Sequence, residues 1–331
     1  MRSFQTVAMR IAFSALMAAG ATCASAEDKP VSVQLVDQMN ALYGVHPHTR
    51  ANHAKGAVFE GTFTPAQGAD ALSSAVFLKG APTPLTIRFS NSGGLPTAPD
   101  TDPSTGGVRG MAIKFRLPDG SEADMVCISM NGFPVASGED FLALLKAVGA
   151  SGPTAPKPTP VEQFLSTHPA ALAFVTTPRP VAVSYGTEPY FGVNAFKFTN
   201  AQNVSKFGRY RIVPESGPAF VSDEEAAKRP PNALADNLRT SLDKGPVKFR
   251  LMVQVAAADD PTNDATKVWP DSRQLVELGE IAVTKALDTQ KVENELLFLP
   301  TNVTAGIEPS DDPLINTRTE AYAESFGRRS Q

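Results

Sequence analysis

In the stretch Leu85-Thr86-Ile87-Arg88-Phe89-Ser90-Asn91, the first six residues alternate between apolar and polar side chains. Successive side chains of a strand point to opposite faces, so this run predicts a half-buried β-strand. Leu85, Ile87 and Phe89 then face one way, and Thr86, Arg88 and Ser90 share the other face. Similar runs recur. Residues 54–63 put Phe59, Gly61 and Phe63 on one face, and 108–117 and 123–129 are joined by a Pro118-Asp119-Gly120 turn. Further strands are expected at 190–199, 206–213, 247–257 and 275–283. The 28 prolines fit short strands and long ordered loops better than a helical bundle.

Helices fall between and after these strands. One is expected over 31–42. A second is expected from Thr64 to Leu78, with Thr64 as N-cap, Pro65 at the first helical position and Gln67 closing a capping box. Ser137 caps a helix over 141–148. Residues 151–160 hold four prolines and form a stiff connection. A helix over 161–175 carries His168. Asn232 caps another that ends at Gly245, and Ser310 caps a last helix over 311–328 whose basic end, Arg328-Arg329, suits the macrodipole. Eight strands in hairpin-like order with helices appended late predict an α+β fold built on an antiparallel eight-stranded β-barrel, whose inner faces would wall a cavity.

Residues 1–26 carry the pattern of a secretion signal: basic Arg2 and Arg10, a short apolar run from Ile11 to Gly20, and small residues at Ala24-Ser25-Ala26. The run is too short to span a bilayer. Removing the two arginines takes the formal net charge from −4 to −6 (−4 − 2), which argues against nucleic acid or an anionic membrane as partner. Cys127 is then the remaining cysteine, and no internal disulfide is expected. The chain is read as one domain over 27–331, with no later run long enough to cross a membrane.

Two stretches bear chemistry. In Arg50-Ala51-Asn52-His53-Ala54-Lys55-Gly56, the cations Arg50 and Lys55 flank His53 and favour a neutral imidazole. A neutral imidazole over a dry cavity is a proton shuttle; the same residue in other surroundings is structural or solvated. Ser90 is placed to fix its tautomer. Some 265 residues later, Arg318 and Tyr322 stand four apart, on one face of a helix. They are a surface stacking pair, or else the guanidinium stabilises a phenolate. A free tyrosine ionises near pH 10, and at neutral pH only beside a cation or metal.

Taken with Arg88-Phe89-Ser90, Arg109-Gly110-Met111-Ala112-Ile113-Lys114-Phe115, Glu139-Asp140-Phe141, Asp260-Pro261-Thr262, Trp269-Pro270 and Gly306-Ile307-Glu308, these stretches make residues 40–329 resemble the haem catalase superfamily, in its small, exported, catalase-related peroxidase branch. The resemblance implies a catalase-type barrel holding a haem, of the b type with ferric iron. It likens His53 to the distal histidine, Ser90 to the hydroxyl that orients it, and Tyr322 to the proximal iron ligand, with Arg318 holding its charge. Arg50, Arg88 and Arg329 fall where that family binds the haem propionates. Phe141 falls where a ring packs on the porphyrin, and Val126 and Phe133 narrow the channel above the metal.

One position departs from the pattern. Where the family keeps a distal asparagine, alignment on Phe133-Pro134-Val135 places Ile128, with Ser129 and Asn131 as neighbouring substitutes if the register slips. Without the amide, a second peroxide is held less well as reductant. The chain is therefore expected to be a periplasmic peroxidase of hydrogen peroxide or organic hydroperoxides, drawing electrons from a small organic reductant, with weak or no catalase activity. It would be a monomer or homodimer. Two other readings stay open: a hydroperoxide isomerase on the same scaffold, and a non-enzymatic periplasmic haem carrier.

Overall fold

Ten strands pair into one antiparallel sheet in the computed structural model, which describes residues 29–102 and 107–331. The expected secretion signal lies outside the described residues. The strands are β1 (Gly56–Pro65), β2 (Thr83–Asn91), β3 (Arg109–Arg116), β4 (Glu122–Ile128), β5 (Tyr190–Phe191), β6 (Phe196–Thr199), β7 (Ser205–Pro214), β8 (Val247–Val255), β9 (Leu275–Ala286) and β10 (Ile307–Pro309). β1 to β5 follow one another, β5 pairs β7, β7 pairs β8, and β8 and β9 lead back to β1. That ring is a closed eight-stranded barrel. β6 and β10 extend it from β7 as a short flap. Closure leaves no open edge along the ring.

The helices are α1 (Val31–Tyr43), α2 (Gly138–Gly149), α3 (Pro160–Thr167), α4 (Pro169–Thr176), α5 (Asp223–Ala227), α6 (Ala233–Leu242), α7 (Thr289–Val292) and α8 (Pro313–Arg329). α1 packs on both α2 and α8. Ser137 caps α2 as its sequence predicts, its hydroxyl accepting from Asp140 N–H at 3.1 Å.

The barrel interior is not a cavity. Phe59, Phe63, Ile87, Phe89, Met111, Ile113, Phe115 and Phe249 are all buried in one hydrophobic core. The rings of Phe63, Phe77 and Phe115 pack at 4.5–5.7 Å between centroids. An eight-stranded barrel is just wide enough for its own side chains to fill, and each buried Phe contributes about 1.5–3 kcal/mol. The polar face of β2 points outward instead, under α1, α2 and α8, and the cavity forms there.

Several elements differ from the sequence expectation for local reasons. No helix runs from 65 to 78. β1 continues to Pro65, which pairs with Gly279, and Ala66 N–H donates to Leu278. Sheet pairing thus outcompetes the capping signal, and left-handed Gly68 (φ +80°) leaves only single turns at Ala69–Ala71 and Val76–Leu78. The helix expected over 161–175 breaks at His168, because Pro169 has no N–H to continue the ladder. The 190–199 run divides into β5 and β6. Asn232 makes no cap hydrogen bond; the buried Asp100 carboxylate accepts from Leu234 N–H at 2.8 Å in its place. α8 begins at Pro313, capped by Asp312 rather than Ser310, whose hydroxyl donates to Thr262.

Candidate active site

All ten residues singled out from the sequence line one cavity: Arg50, His53, Arg88, Ser90, Val126, Phe133, Phe141, Arg318, Tyr322 and Arg329. The outer faces of β2, β3 and β4 form its back wall. The register aligns Arg88 with Ala112 and Val126, and Ser90 with Gly110 and Ile128. α1, α2 and α8 close the front. Phe141 of α2 and Phe133 meet with ring centroids 5.1 Å apart.

His53 sits just before β1 in the left-handed region, at φ +53°. A bulky residue adopts that conformation only when its surroundings impose it. Three contacts do so. Asn52 Oδ1 accepts from His53 N–H at 3.0 Å and from Gly93 N–H at 2.7 Å. Arg88 donates to the His53 carbonyl at 2.9 Å. His53 Nδ1 lies 3.0 Å from Ser90 Oγ, which fixes the ring and leaves Nε2 for chemistry. Gly110 makes room for this pair, since a Cβ there would stand 2.7 Å from Ser90 Oγ and 3.0 Å from Nδ1.

Burial, followed by the charges of Arg88, Arg318, Arg50 and Arg109, pushes the His53 pKa down to about 3. Lys55 plays no part, contrary to the expectation from its place in the motif. Its ammonium turns away to Asp100 at 2.8 Å. The imidazole is neutral across the physiological range. The rate of reaction with peroxide is therefore expected to show no step near pH 6.5, where a free histidine titrates; a step there in a stopped-flow pH series would mean a solvated ring. Stability carries the same signature. Between about pH 6.5 and 3 the unfolded chain binds a proton at this position that the folded chain does not, so stability falls as pH drops through that window.

Opposite stands Tyr322. Its phenol oxygen accepts from Arg318 Nε at 3.2 Å and Nη2 at 3.1 Å, as the four-residue spacing on α8 allows. The other side of the guanidinium donates to Asn194 Oδ1. Asn194 in turn donates to Asp312 Oδ2 at 2.8 Å, and Asp312 caps α8 through Leu314 N–H. The helix that carries Tyr322 is thus tied through its own cap to the cation that serves Tyr322.

The arginines gather at one end around Glu293, which the sequence reading missed. It lies in a run, Lys291-Val292-Glu293-Asn294-Glu295, that reads as a solvated surface. Its carboxylate accepts from Arg50 Nε at 2.8 Å and from Arg88 Nε at 2.9 Å. Burial alone would push its pKa up; the charges of Arg88 and Arg50 outweigh that and hold it at about 2. Burial and the neighbouring Arg88 push Arg50 down to about 9. Arg329, also buried, is lowered to about 10, and its Nε has no hydrogen-bond partner. Three guanidinium groups against one carboxylate leave a net charge of +2 (3 − 1) in a buried place, so the cluster calls for two more negative charges.

That demand, a phenolic oxygen suited to a hard ferric ion, and apolar walls from Val126, Phe133 and Phe141 fit an iron-porphyrin with its two propionates. Cys127 faces the barrel core, and burial pushes its thiol up to about 12, so it is an inert packing group. Ile128 lines the cavity. Ser129 and Asn131 do not; they face a groove outside it, and Ser129 Oγ accepts from Arg109 N–H at 2.9 Å. Among these substitutes no amide reaches the position that Ile128 holds.

Comparison with known proteins agrees with this geometry. The family described as Catalase matches residues 31–330. A catalase-related peroxidase of Mycolicibacterium paratuberculosis is 37% identical over 302 residues, 90% of this chain and 94% of the relative. One of Synechococcus elongatus is 32% identical over 304 residues, 90% and 88% of the two chains. Catalase-1 of Arabidopsis thaliana is 32% identical, but this chain spans only 60% of its length. The crystal structure of a fungal catalase superposes with a TM-score of 0.74 at 23% identity, over 85% of this chain and 59% of that one, and so shares the fold. The chain belongs to the catalase family.

Proposed function

We propose that the chain is a haem-dependent peroxidase of the periplasm, an oxidoreductase that reduces hydrogen peroxide or organic hydroperoxides at the expense of a small organic electron donor. The observation that carries this reading is the facing pair: a half-buried neutral imidazole on one side of the cavity and a guanidinium-held phenol oxygen on the other. Tyr322 would hold the iron and Arg50, Arg88 and Arg329 the propionates. When bound, the haem supplies the redox chemistry that cleaves the O–O bond.

The residues of the chain do the rest. His53 Nε2 takes a proton from the incoming peroxide and returns it to the departing oxygen, a transfer that contributes on the order of 10²–10⁴ in rate. Ser90 holds the ring in the tautomer that makes this direct. Arg318 holds the Tyr322 oxygen in place through two hydrogen bonds. The wall from Val126, Phe133 and Phe141 excludes water and strengthens each of these interactions.

Ile128 accounts for the preference for a donor other than peroxide. It offers no hydrogen bond to orient a second peroxide, and a misplacement of about 1 Å costs on the order of a hundredfold. The expected result is donor oxidation well in excess of oxygen release when both are measured on the purified holoprotein. Ile128→Asn is expected to raise oxygen release about tenfold or more while donor oxidation changes little. Oxygen evolution by the unaltered protein at full catalase turnover would overturn the peroxidase reading.

Among the described residues no helix is long and apolar enough to cross a membrane. The periplasmic placement rests on the sequence pattern of residues 1–26.

A further inference from the structure

Phe133 has two sides. One faces the cavity with His53; the other faces a separate outer groove of about 400 Å³, a volume within the usual range for small-molecule sites. The groove lies between α4, the 129–133 loop and the residues leading into β5. Its walls are largely aromatic: Phe133, Phe174 and Phe191, with Phe220 and Val268 at the rim. Phe220 and Val268 are 42% and 55% exposed, among the more exposed large apolar side chains of the described residues. The ring of Phe133 stands 5.1 Å from Phe141 and 6.4 Å from Phe174, so a run of three rings joins cavity to groove.

Arg179, stacked over the Phe174 ring at 4.9 Å, lines the groove as well, and Glu188 is the one carboxylate among the lining residues. It lines the groove and is only 7% exposed, yet its carboxyl group makes no hydrogen bond or ion pair to any described residue. Burial, partly offset by Arg109, pushes its pKa up to about 7. A carboxyl on the wall of such a groove gains a hydrogen bond when a donor enters. The reaction proposed above needs such a visitor, an organic reductant.

We propose that this groove is the reductant site, and that it takes a small uncharged aromatic compound bearing a phenolic hydroxyl or aromatic amino group, which donates to Glu188 while its ring packs among Phe133, Phe174 and Phe191. This rests on the peroxidase reading for the role of the ligand, but the binding itself does not need turnover. Aromatic contacts of this kind add to area burial, and the hydrogen bond selects for the donor group.

The experiment is calorimetric titration of the full-length holoprotein with guaiacol and with veratrole, which differs by having its hydroxyl methylated. Guaiacol is expected to bind at least tenfold tighter. Glu188→Leu, which removes a buried ionisable group and so should fold, is expected to weaken guaiacol about tenfold and erase the difference between the two compounds. Ala173→Phe, on the exposed face of α4 at the groove, is expected to block both. In steady state the KM for guaiacol should rise in both variants, with the rate of reaction with peroxide unchanged. Equal affinity for both compounds in the unaltered protein, or an unchanged guaiacol affinity in both variants, overturns the proposal. Binding that follows the expected pattern without any donor oxidation would instead overturn the peroxidase reading and leave the groove assignment standing.

Discussion

Tyr322→Phe is expected to yield a protein that folds but retains little haem, with the absorption bands of any residual pigment displaced. The change deletes one oxygen and leaves the ring packing intact. That oxygen is the donor that would hold the metal in the arrangement proposed here, and it accepts two hydrogen bonds from Arg318, at 3.2 and 3.1 Å. Hydrogen bonds to charged groups are worth about 1.5–3 kcal/mol each, and their loss leaves the Arg318 guanidinium facing an apolar ring. Peroxide turnover should fall by about 10³ or more, because an unliganded iron-porphyrin is neither held nor tuned. Arg318→Ala should do less, since the metal itself favours the ionised phenol. Haem-to-protein ratio and absorption spectrum after purification with ample haem check both variants. A Tyr322→Phe protein with an unaltered spectrum would assign the ligand elsewhere.

The second large effect is expected on the opposite side. His53→Ala should keep its haem and slow the reaction with peroxide by about 10²–10⁴, the range attributed to a positioned proton-transfer group. The fold should tolerate it. The ring's own contact is with Ser90, and the backbone at φ +53° is held by Asn52 and Arg88, neither of which is changed. The cost in stability is about 1–2 kcal/mol, from an unsatisfied Ser90 hydroxyl and a small void. Stopped-flow mixing with peroxide measures the rate, and thermal melting controls for the fold. Full peroxide reactivity in His53→Ala would favour a haem carrier over an enzyme.

How much of this is legible in the amino-acid order differs by element. β2 is legible because Leu85 to Ser90 alternates without exception, and that period places Arg88 and Ser90 together whatever the rest of the fold does. The same period does not say which face closes on itself. Two faces look alike in a pattern of alternation, and only the packing of Phe59, Phe89, Phe115 and Phe249 shows that the apolar one fills the barrel and leaves the cavity outside. The helix signal at Thr64 is sound as local chemistry and loses to the ladder with β9, which no window of ten residues contains. His53, Tyr322 and the three arginines can be found because their motifs are short and distinctive. Glu293, Asn194 and Asp312 cannot: the Asn194–Asp312 hydrogen bond spans 118 positions, and Glu293 sits among surface-like charges.

The placement of the cavity on the outside of the barrel sets an order of assembly. His53, Arg88 and the strands behind them come early in the chain, whereas Arg318, Tyr322 and Arg329 all belong to α8. His53 and Tyr322 are separated by 269 positions (322 − 53), so the two sides of the cavity meet only when the end of the chain is in place. On the reading proposed above, a prosthetic group would be held only once α8 docks against α1 like a latch. Glu293, the anion that pairs with Arg50 and Arg88, also lies near the end of the chain, so this charge cluster too closes late.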